Sequence, residues 1–495
     1  VVRVAITVCI VLSLKQLVSP LNPTKISGNL DGYVRSISFD SRKVHEGDIF
    51  VAIKGSNADG NHYLEDAVAA GAAAIVTDAH IKPNGVPCIH VENARVALAR
   101  LAAEWHQHPE QNIKLTGVTG TNGKTTTAYL IRAILETAGH STGLLGTIEY
   151  LVGDKSIPAA LTTPEPTNLY DYLARMIKSG QTHAVMVVTS HALAQDRTHG
   201  LKFERAVFTN FSHEHLDFHE TRENYLQAKM KLFQNLDTES VAILNQDTPE
   251  SARLKARTKA TTLSFSTASN GLAASDCIRA SRNGNSVVDV RFRNQKMQIN
   301  SKLPGDFNLG NILAAVAVGV SYDLEPSLIK RGVESVEGIP GRLELITTVP
   351  FAVYVDFAHT PESLKQTLRS GRKNCRGRII IVFGCGGNRD KVKRPQMGKI
   401  AEQGAELIFL TSDNPRDEDP MQILNEIDRG ISDKSKRVII PDRKTAIAEA
   451  ISRAEPDDII IIAGKGHETH QEICGERLPF DDRRVARELL NALNT

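Results

Sequence analysis

Short runs of apolar residues recur along this chain, and each ends in glycines or polar residues and leads into a helix-like segment. A strand of a parallel sheet has such a continuous apolar run, because helices cover both faces of the sheet. The clearest runs are GDIFVAIKG, GAAAIVTDA, IKLTGVTG, HAVMVVTSHA, RAVFTNFS, RIIIVFGCGG, AELIFLTSDNP and DIIIIAGKGHE. The pattern predicts an α/β protein whose functional residues follow the strands, where open parallel sheets bind ligands.

With 495 residues, the chain is too long to fold around one ordinary hydrophobic core, so we expect several domains. We predict an N-terminal α/β domain at residues 1–108, a central domain at 109–336 and a C-terminal α/β domain at 337–495. The polar segment 247–300 has a β-strand bias and is predicted to decorate the central domain. The apolar start is shorter than the ~20 residues of a membrane span, so residues 1–13 are treated as an extension of unsettled status: native, a targeting segment or a misplaced start.

Charge and cysteine usage narrow the class of protein. With 59 Lys and Arg against 57 Asp and Glu, the net charge of +2 gives no electrostatic case for a nucleic-acid or membrane-surface partner. No pair of cysteines has CxxC spacing, which argues against a disulfide framework and a zinc site and favours a reducing cytoplasm. The cysteines are Cys9, Cys88, Cys277, Cys375, Cys385 and Cys474.

The segment GVTGTNGKTTTAYL, residues 117–130, lies between a predicted strand and a predicted helix. Glycines there allow backbone N–H groups to approach phosphate oxygens at the positive end of the helix dipole. Lys124 can reach the terminal phosphates of a nucleotide, and Thr125 or Thr126 can bind magnesium. The spacing departs from the usual Walker A motif, since Val118 occupies the first glycine position, yet the segment still predicts a nucleoside triphosphate site.

Further motifs follow in a fixed order, and together they resemble the Mur ligases. They are FSHEHLDFH (211–219), YLQAKMKLF (225–233), LPGDFNLGNILAAVAV (303–318), GIPGRLE (338–344), VYVDFAHTPESL (353–364), FGCGGNRDKVKRP (383–395), SDNPRDEDP (412–420) and AGKGHE (463–468). The resemblance covers nearly everything from about Leu14 onward. Within the family, DSRKVHEGDIFVAIKG (40–55) and DNPR resemble the members that add meso-diaminopimelate to UDP-MurNAc-L-Ala-D-Glu.

The resemblance implies the three-domain Mur ligase architecture: a small N-terminal domain that binds the UDP-sugar, a P-loop ATPase domain with a parallel sheet, and a Rossmann-like domain that binds the amino acid. It also implies an ATP-dependent, ADP-forming peptide ligase of peptidoglycan synthesis with an acyl-phosphate intermediate, using Mg²⁺ and small-molecule substrates. We expect a cytoplasmic monomer with no nucleic-acid or membrane partner.

For the nucleotide and metal, the resemblance implies three catalytic residues, Lys124, His215 and Lys229, and three metal ligands, Thr125, His215 and Lys229 as a carbamate. His215 matches a metal-binding histidine, and Lys229 matches a lysine that the family carries as a carbamate. Without the resemblance, a hydrogen-bonded loop histidine is the less favoured alternative for His215, whereas Lys229 would be interpreted as a solvated helix residue. Helix capping is an equally good interpretation of Asn308 and Asn311. The ATP-binding positions are Gly120, Thr121, Asn122, Gly123, Lys124, Thr125, Thr126, Asn308, Arg342, Asp356 and His359.

For the other substrates, the resemblance assigns two further groups of residues. Arg416 of DNPR would pair with the carboxylate that distinguishes diaminopimelate from lysine, since a guanidinium binds a carboxylate through two hydrogen bonds. In isolation, DNPR would be interpreted as a turn with a surface arginine. The UDP-substrate positions are Ser41, Thr162, Thr163, Thr189, Gln195 and Arg197, and the diaminopimelate positions are Arg389, Asp413, Asn414, Arg416, Gly464 and Glu468.

Besides Thr189, which stands where the family usually has serine and preserves the hydroxyl, three positions depart from the family pattern. Val187 stands where the family has a magnesium-binding glutamate, Glu214 replaces a usual aspartate, and Thr469 follows GKGHE where acidic residues are common. The change at Val187 removes a charged ligand, so a catalytically weakened nucleotide-binding or scaffold protein remains an alternative. A ligase of the lysine-adding or folylpolyglutamate type is disfavoured by DNPR and the N-terminal DSR segment, and a dehydrogenase by the lack of a GxGxxG motif after a strand.

Overall fold

The structure is a computed structural model that describes residues 12–55, 58–81, 85–268, 277–283, 286–292 and 295–493. Contacts within the chain divide it into two compact units. The first comprises residues up to 116 together with 141–145 and 149–204, and the second comprises 117–140, 146–148 and 205 onward. Of the N-terminal extension, Leu12 and Ser13 belong to the fold as a strand paired with Tyr33–Val34, while residues 1–11, with Cys9, lie outside the described part.

The N-terminal part of the first unit is a small α/β layer. Its elements are β1 Leu12–Ser13, α1 Leu14–Val18, β2 Lys25–Ser27, β3 Tyr33–Val34, β4 Ile37–Ser38, β5 Ile49–Ala52, α2 Leu64–Ala69, β6 Ala74–Thr77, β7 Cys88–His90 and α3 Ala94–Trp105. The sheet has the order β2-β7-β6-β5-β4 and is parallel except for β2. Strands β5 and β6 are buried along their whole length, as their uninterrupted apolar sequences predict.

The middle of the chain contributes to both units. Its elements are β8 Lys114–Thr119, α4 Lys124–Thr137, β9 Thr142–Leu145, β10 Glu149–Val152, β11 Lys155–Pro158, α5 Pro166–Lys178, β12 His183–Val187, α6 Ser190–Ala194, β13 Phe203–Phe208, α7 Leu216–His219, α8 Arg222–Gln234, β14 Val241–Asn245, α9 Ser251–Lys255, β15 Thr261–Ser266, β16 Cys277–Asn283, β17 Val287–Phe292, β18 Gln295–Asn300, α10 Phe307–Ser321 and α11 Pro326–Glu334.

In the first unit, β9 pairs with β12 in parallel and with β10 in antiparallel, and β10 pairs with β11. In the second unit, β13 to β16 are parallel, whereas β16, β17 and β18 form an antiparallel meander. The polar segment 247–300 therefore adds strands to the sheet, as predicted. Helix α4 packs against α10 and α11 and buries Ile131, Ile134 and Leu135.

The C-terminal part of the second unit is a sheet covered on both faces. Its elements are β19 Glu344–Thr347, β20 Ala352–Asp356, α12 Pro361–Asn374, β21 Ile379–Phe383, α13 Lys393–Gly404, β22 Leu407–Leu410, α14 Pro420–Asp428, β23 Arg437–Ile439, α15 Arg443–Ser452, β24 Ile459–Ala463, β25 His470–Ile473, β26 Glu476–Pro479 and α16 Asp482–Leu493. The sheet has the order β19-β20-β24-β21-β22-β23 and is parallel except for β19.

Alternate residues of β21 belong to two separate cores. Ile379, Ile381 and Phe383 pack with α12, α13 and α14, whereas Ile380 and Val382 pack with α15 and α16. Successive side chains of a strand point to opposite faces, so a strand buried on both faces needs apolar residues at every position. This explains the unbroken RIIIVF run and confirms the α/β prediction for this region.

Candidate active site

A glycine-rich turn joins β8 to α4, and other segments of the second unit pack closely against it. Gly120 and Gly123 have φ angles of 144° and 82°, which residues with a side chain rarely adopt. A Cβ atom on Gly120 would lie 2.0 Å from Oγ1 of Thr209, and one on Gly123 would lie 2.1 Å from Oδ1 of Asn311. Both positions therefore require glycine, and the turn presents backbone at the N-terminus of α4, as in phosphate-binding loops.

The residues between these glycines are held by hydrogen bonds to the segment after β13. The backbone N–H of Asn122 donates to Oδ1 of Asn210 at 2.8 Å, and the carbonyl oxygen of Asn122 accepts from Oγ1 of Thr209 at 2.7 Å. The hydroxyl of Thr121 lies 3.2 Å from that of Tyr225 on α8. The loop is thus shaped before any ligand arrives.

Lys124 begins α4 and turns its ammonium group back onto the loop. Its Nζ donates to the carbonyl oxygens of Gly120 and Thr121 at 3.1 and 2.5 Å. Burial lowers the pKa of Lys124, Glu214 opposes that shift, and the charge of Arg342 adds to it. A phosphate at the loop would supply the negative charge that this desolvated ammonium lacks.

Thr125 and Thr126 are buried on the first turn of α4, and Thr125 contacts the predicted residue Arg342. Oγ1 of Thr125 donates to Oγ1 of Thr147 at 3.1 Å and accepts from Nη2 of Arg342 at 3.2 Å. The Arg342 guanidinium lies 4.3 Å from the centre of the Phe357 ring, and burial lowers its pKa to about 10. Its Nε is buried and has no partner among the described residues, so the group retains a donor for a ligand.

Glu214 is a candidate site residue that the sequence analysis noted only as a replacement of a usual aspartate. Its Oε1 lies 3.5 Å from Nε2 of His359, and its Oε2 lies 3.7 Å from Nε2 of His215. Burial alone would raise the pKa of Glu214, but the hydrogen bond with His359 and the charges of His215 and Lys124 outweigh it and hold the pKa far below the usual range. The carboxylate is therefore ionised at the centre of a cationic cluster. Its place beside His213 and His215 in the FSHEHLDFH motif was the available sequence signal.

Lys229 is buried, with 1% of its surface exposed, rather than solvated on a helix. Its Nζ donates to the Gly120 carbonyl oxygen at 2.8 Å and lies 4.4 Å from the centre of the Tyr225 ring. Burial lowers the pKa of Lys229 well below its ordinary value, and the nearby charge of Lys124 lowers it further. The interpretation of Lys229 as a solvated helix residue is therefore wrong, because Lys229 is buried and contacts the same loop carbonyl oxygen as Lys124.

Asn308 and Asn311 lie on the first turns of α10 and contact each other. Nδ2 of Asn311 donates to Oδ1 of Asn308 at 2.8 Å, while Nδ2 of Asn308 donates to the carbonyl oxygen of Pro304 at 2.6 Å. Since Oδ1 of Asn311 also lies against Gly123, the pair is adjacent to the phosphate-binding loop.

Asp356 is the last residue of β20, and His359 lies on the loop that follows it. The oxygens of Asp356 accept hydrogen bonds from the N–H groups of Leu343 and Ala358 and from the hydroxyl of Thr367, at 2.6, 3.1 and 2.8 Å. Burial nevertheless raises the pKa of this carboxyl. Asp356 therefore holds the chain next to Arg342 in place, and direct contact of Asp356 with a nucleotide stays a prediction.

The predicted UDP-substrate residues lie in the first unit, and four of them form one hydrogen-bonded group. Thr163 Oγ1 lies 3.2 Å from Oγ1 of Thr189, and the carbonyl oxygen of Thr163 accepts from Nη1 of Arg197 at 3.0 Å. Nη2 of Arg197 donates to Gln195 at 2.6 Å and pairs with Glu165 at 2.9 Å. Nε of Arg197 and Oε2 of Glu165 are buried without partners among the described residues, which favours a polar ligand here.

Two further residues of this prediction are Thr162 and Ser41. Thr162 immediately precedes the hydrogen-bonded group in the chain. Ser41 begins a short 3₁₀ helix, Ser41–Lys43, which Asp40 caps by accepting from the N–H of Arg42. The role of Ser41 stays a prediction.

Val187 ends β12 and is completely buried. Its carbonyl oxygen accepts a hydrogen bond from Oγ1 of Thr163 at 2.9 Å, so its backbone belongs to the same group. Its side chain offers no atom that could bind a cation.

The predicted diaminopimelate residues lie on loops at the carboxyl ends of β21, β22 and β24. Nε of Arg416 donates to Oε2 of Glu472 at 3.0 Å, and Nη1 donates to the carbonyl oxygen of Gly387 at 2.7 Å. A Cβ atom on Gly386 would lie 3.0 Å from Nη1 of Arg416 and 3.8 Å from Cγ of Arg389. The loops that carry GCGGNRD and DNPR are therefore in direct contact, which brings Arg389 and Arg416 to one place.

Asp413, Asn414, Gly464 and Glu468 lie on the adjoining loops. Gly464 has a φ of 112°, and a Cβ atom there would lie 2.4 Å from Oδ2 of Asp413. Nδ2 of Asn414 donates to Oε2 of Glu468 at 2.8 Å. Lys465, which the sequence did not single out, is fully buried and bonds to both Asn414 and Glu468. Its position between two glycines after a buried strand was the only sequence signal.

The predicted absences can be checked only in the part of the chain that the structure describes. There, no three His, Cys, Asp or Glu side chains are grouped so that they could hold a metal ion, and no helix is long and apolar enough to cross a bilayer. The described cysteines, Cys88, Cys277, Cys375, Cys385 and Cys474, are all thiols without a disulfide.

Three domain families that are known from other proteins match successive parts of the chain. Residues 33–106 match the Mur ligase family catalytic domain, residues 118–319 the Mur ligase middle domain, and residues 341–466 the Mur ligase glutamate ligase domain. Among solved structures, the chain is similar to a UDP-N-acetylmuramoyl-L-alanyl-D-glutamate–2,6-diaminopimelate ligase, with a TM-score of 0.67, 30% identity and coverage of 98% of this chain and 99% of that one. MurF from Acinetobacter baumannii shares the fold, with a TM-score of 0.66 at 17% identity and coverage of 97% and 99%.

Curated relatives match over almost the whole length. UDP-N-acetylmuramoyl-L-alanyl-D-glutamate–2,6-diaminopimelate ligase of Clostridium tetani is 38% identical over 490 residues, which is 97% of this chain and 100% of that protein. The protein of the same name from Solibacter usitatus is 42% identical and covers 97% of both chains. With this coverage, and with the P-loop and the C-terminal loops built as described, this three-domain α/β chain belongs to the Mur ligase family.

Proposed function

We propose that this chain is an ATP-dependent, ADP-forming ligase that joins meso-diaminopimelate to UDP-MurNAc-L-Ala-D-Glu during peptidoglycan precursor synthesis. The observation that carries the proposal is the full-length likeness to relatives named for this reaction. The arrangement of Arg416 supports it, because a guanidinium beside acidic side chains suits an amino acid that carries both charges. The proposed substrates are small molecules. Since ATP and UDP-linked precursors are cytoplasmic metabolites, we place the enzyme in the cytoplasm. We also propose that it acts as a monomer.

The proposed reaction has two steps. The γ-phosphoryl group passes from ATP to a carboxylate oxygen of the UDP-substrate, which gives an acyl phosphate and ADP. The amine of diaminopimelate then attacks the carbonyl carbon, a C–N bond forms, the C–O bond to phosphate breaks, and the amine loses a proton. Lys124, Arg342 and the backbone N–H groups of the loop oppose the negative charge that the phosphates concentrate here.

Magnesium is the cation that the family implies, and the second unit offers suitable donors for it. Oε2 of Glu214 is buried and has no hydrogen-bond partner among the described residues, although the His215 imidazole lies 3.7 Å away. The hydroxyl of Thr125 and the imidazole of His215 are further candidate ligands. Magnesium is usually held by one or two carboxylates together with phosphate oxygens and water, so no complete protein cage is needed. When bound, the ion would neutralise phosphate charge.

Lys229 is proposed to act as a carbamate. Its lowered pKa favours the neutral amine, which is the form that adds CO₂ and releases a proton. Lys229→Ala should be nearly inactive in ADP release and partly rescued by short-chain carboxylic acids that replace the carbamate. Lys231→Ala, two residues along the same helix, should keep its activity. Absence of rescue would leave the carbamate without support, and wild-type activity of Lys229→Ala would refute it.

The direct test of the proposed function measures ADP release from ATP and Mg²⁺ with UDP-MurNAc-L-Ala-D-Glu and either diaminopimelate or lysine. We expect turnover that depends on both the UDP-dipeptide and diaminopimelate. A preference for lysine would assign a lysine-adding ligase. ATP binding without turnover with either amine would instead favour the scaffold alternative that Val187 raises.

A further inference from the structure

A closed ring of three side chains lies at the carboxyl end of β24. Lys465 has none of its surface exposed, and its Nζ donates to Oδ1 of Asn414 and to Oε2 of Glu468, each at 2.9 Å. Nδ2 of Asn414 donates to the same Oε2 at 2.8 Å. Each member of the ring therefore contacts the other two.

The chemistry of the ring allows one orientation of the Asn414 amide. Lysine can only donate hydrogen bonds and an ionised carboxylate can only accept them, so Oδ1 must face Lys465 and Nδ2 must face Glu468. Rotation of the amide by 180° would place two donors against each other and leave the carboxylate facing an acceptor. Lys465, together with the backbone N–H of Glu472, thus determines which atom of Asn414 points at Glu468, and Lys465 and Asn414 hold one oxygen of Glu468 in a single position.

The ring is also connected to the arginine of DNPR. Oδ1 of Asn414 accepts a hydrogen bond from the backbone N–H of Glu472 at 3.1 Å. The carboxylate of Glu472 binds Nε of Arg416 at 3.0 Å, and its carbonyl oxygen accepts from the N–H of Arg416 at 2.9 Å. These hydrogen bonds link the carboxylate of Glu468, which can bind an ammonium group, to the guanidinium of Arg416, which can bind a carboxylate.

We propose that Lys465 is a specificity-determining positioning residue, which holds Glu468 and Asn414 so that Glu468 accepts the second ammonium group of diaminopimelate. This inference rests on the proposed function. Glu468 is the partly exposed member of the ring, with 27% of its side chain accessible, so it is the one that a substrate can touch. Lys465 is buried behind it and acts through it.

The test compares three substrates that differ by one group each: diaminopimelate, 2-aminopimelate, which lacks the second amine, and lysine, which lacks the second carboxylate. The measured quantity is kcat/KM for each amine in ADP release, together with the KM for ATP. Lys465→Met removes the charge while keeping the shape of the chain. Glu468→Gln, the double variant and Lys444→Met, an exposed lysine of the same domain, complete the set.

We expect the wild type to prefer diaminopimelate to 2-aminopimelate by at least about 10-fold, since a polar site left unpaired rejects the analogue. Lys465→Met should reduce that preference to about twofold or less, with the KM for ATP changed less than about threefold. Its preference for diaminopimelate over lysine should change less, because Arg416 remains. The double variant should have the same preference as Glu468→Gln, because Lys465 works through Glu468.

If Lys465→Met lowers kcat/KM equally for diaminopimelate and 2-aminopimelate, the inference is overturned. It is also overturned if the reduction in preference in the double variant equals the product of the reductions in the two single variants. If Lys465→Met does not fold, the double variant still decides, because it contains no uncompensated carboxylate: a further loss of preference relative to Glu468→Gln refutes the positioning role. Failure of the wild type to use diaminopimelate would refute the proposed function instead, and Lys444→Met should match the wild type throughout.

Discussion

Replacement of Arg416 by methionine should weaken the binding of diaminopimelate selectively. A guanidinium has five N–H donors, and two of them are used by Glu472 and the Gly387 carbonyl oxygen. The remaining donors are sufficient for a two-bond contact with a substrate carboxylate. Methionine replaces the unbranched stem of the arginine without its guanidinium, and it keeps a Cβ atom at a position whose φ is 51°, so the backbone is not strained further.

The size of the effect follows from the exposure of the group. The Arg416 side chain is 21% exposed, so its charge is partly but not fully removed from water. A charge-assisted two-bond contact in such a place contributes about 2–4 kcal/mol, which corresponds to roughly a 30- to 1000-fold increase in the KM for diaminopimelate. Loss of the partly exposed pair with Glu472 should cost about 1 kcal/mol of stability or less, so the variant should remain folded.

The assay is ADP release at saturating ATP and UDP-dipeptide with diaminopimelate varied, and then with ATP varied. The KM for ATP should change less than about threefold, since the P-loop is untouched. Arg477→Met, on the exposed strand β26 of the same domain, is the matched control and should behave as the wild type. A KM for diaminopimelate within about threefold of the wild-type value would place the specificity site elsewhere and refute this reasoning.

Three further predictions concern the other sites. Lys124→Met should abolish ADP release, since it removes the ammonium that faces the phosphates, and retention of more than about a tenth of the rate would refute the P-loop assignment. Val187→Glu should lower the half-saturating magnesium concentration and raise kcat by about 10- to 1000-fold if an electrostatic contact is restored, whereas identical magnesium titrations would show that the carboxylate is not needed. Burial and the charges of Arg342 and Arg483 lower the pKa of His467 to about 3. The unfolded chain therefore binds more protons between pH 3 and 6.5, so thermal stability should fall as pH drops through this window. The fall should be less steep in His467→Gln, and an equal slope would contradict the shift.

The local elements were readable from the sequence because their causes are local. The apolar runs predicted β5, β6, β8, β12, β13, β21, β22 and β24, since a strand buried on both faces must be apolar at each position. The phosphate loop was readable because glycines with positive φ, a lysine and a helix start occur within a few residues. The ordered motifs supplied the remaining candidate residues through a family resemblance.

The tertiary structure alone decided what these residues touch. Gly123 requires glycine because of Asn311, which is almost two hundred residues away in the chain, and Lys229 is buried because α8 packs on the loop of Gly120. Nothing near Glu214 in the sequence indicates that His359 and Lys124 would surround it. Lys465 likewise has the sequence setting of an ordinary polar loop residue, and only the fold brings Asn414 and Glu468 against it. The physical reason is that burial and charge pairing depend on segments brought together by packing, whereas periodicity and turn chemistry depend only on neighbours along the chain.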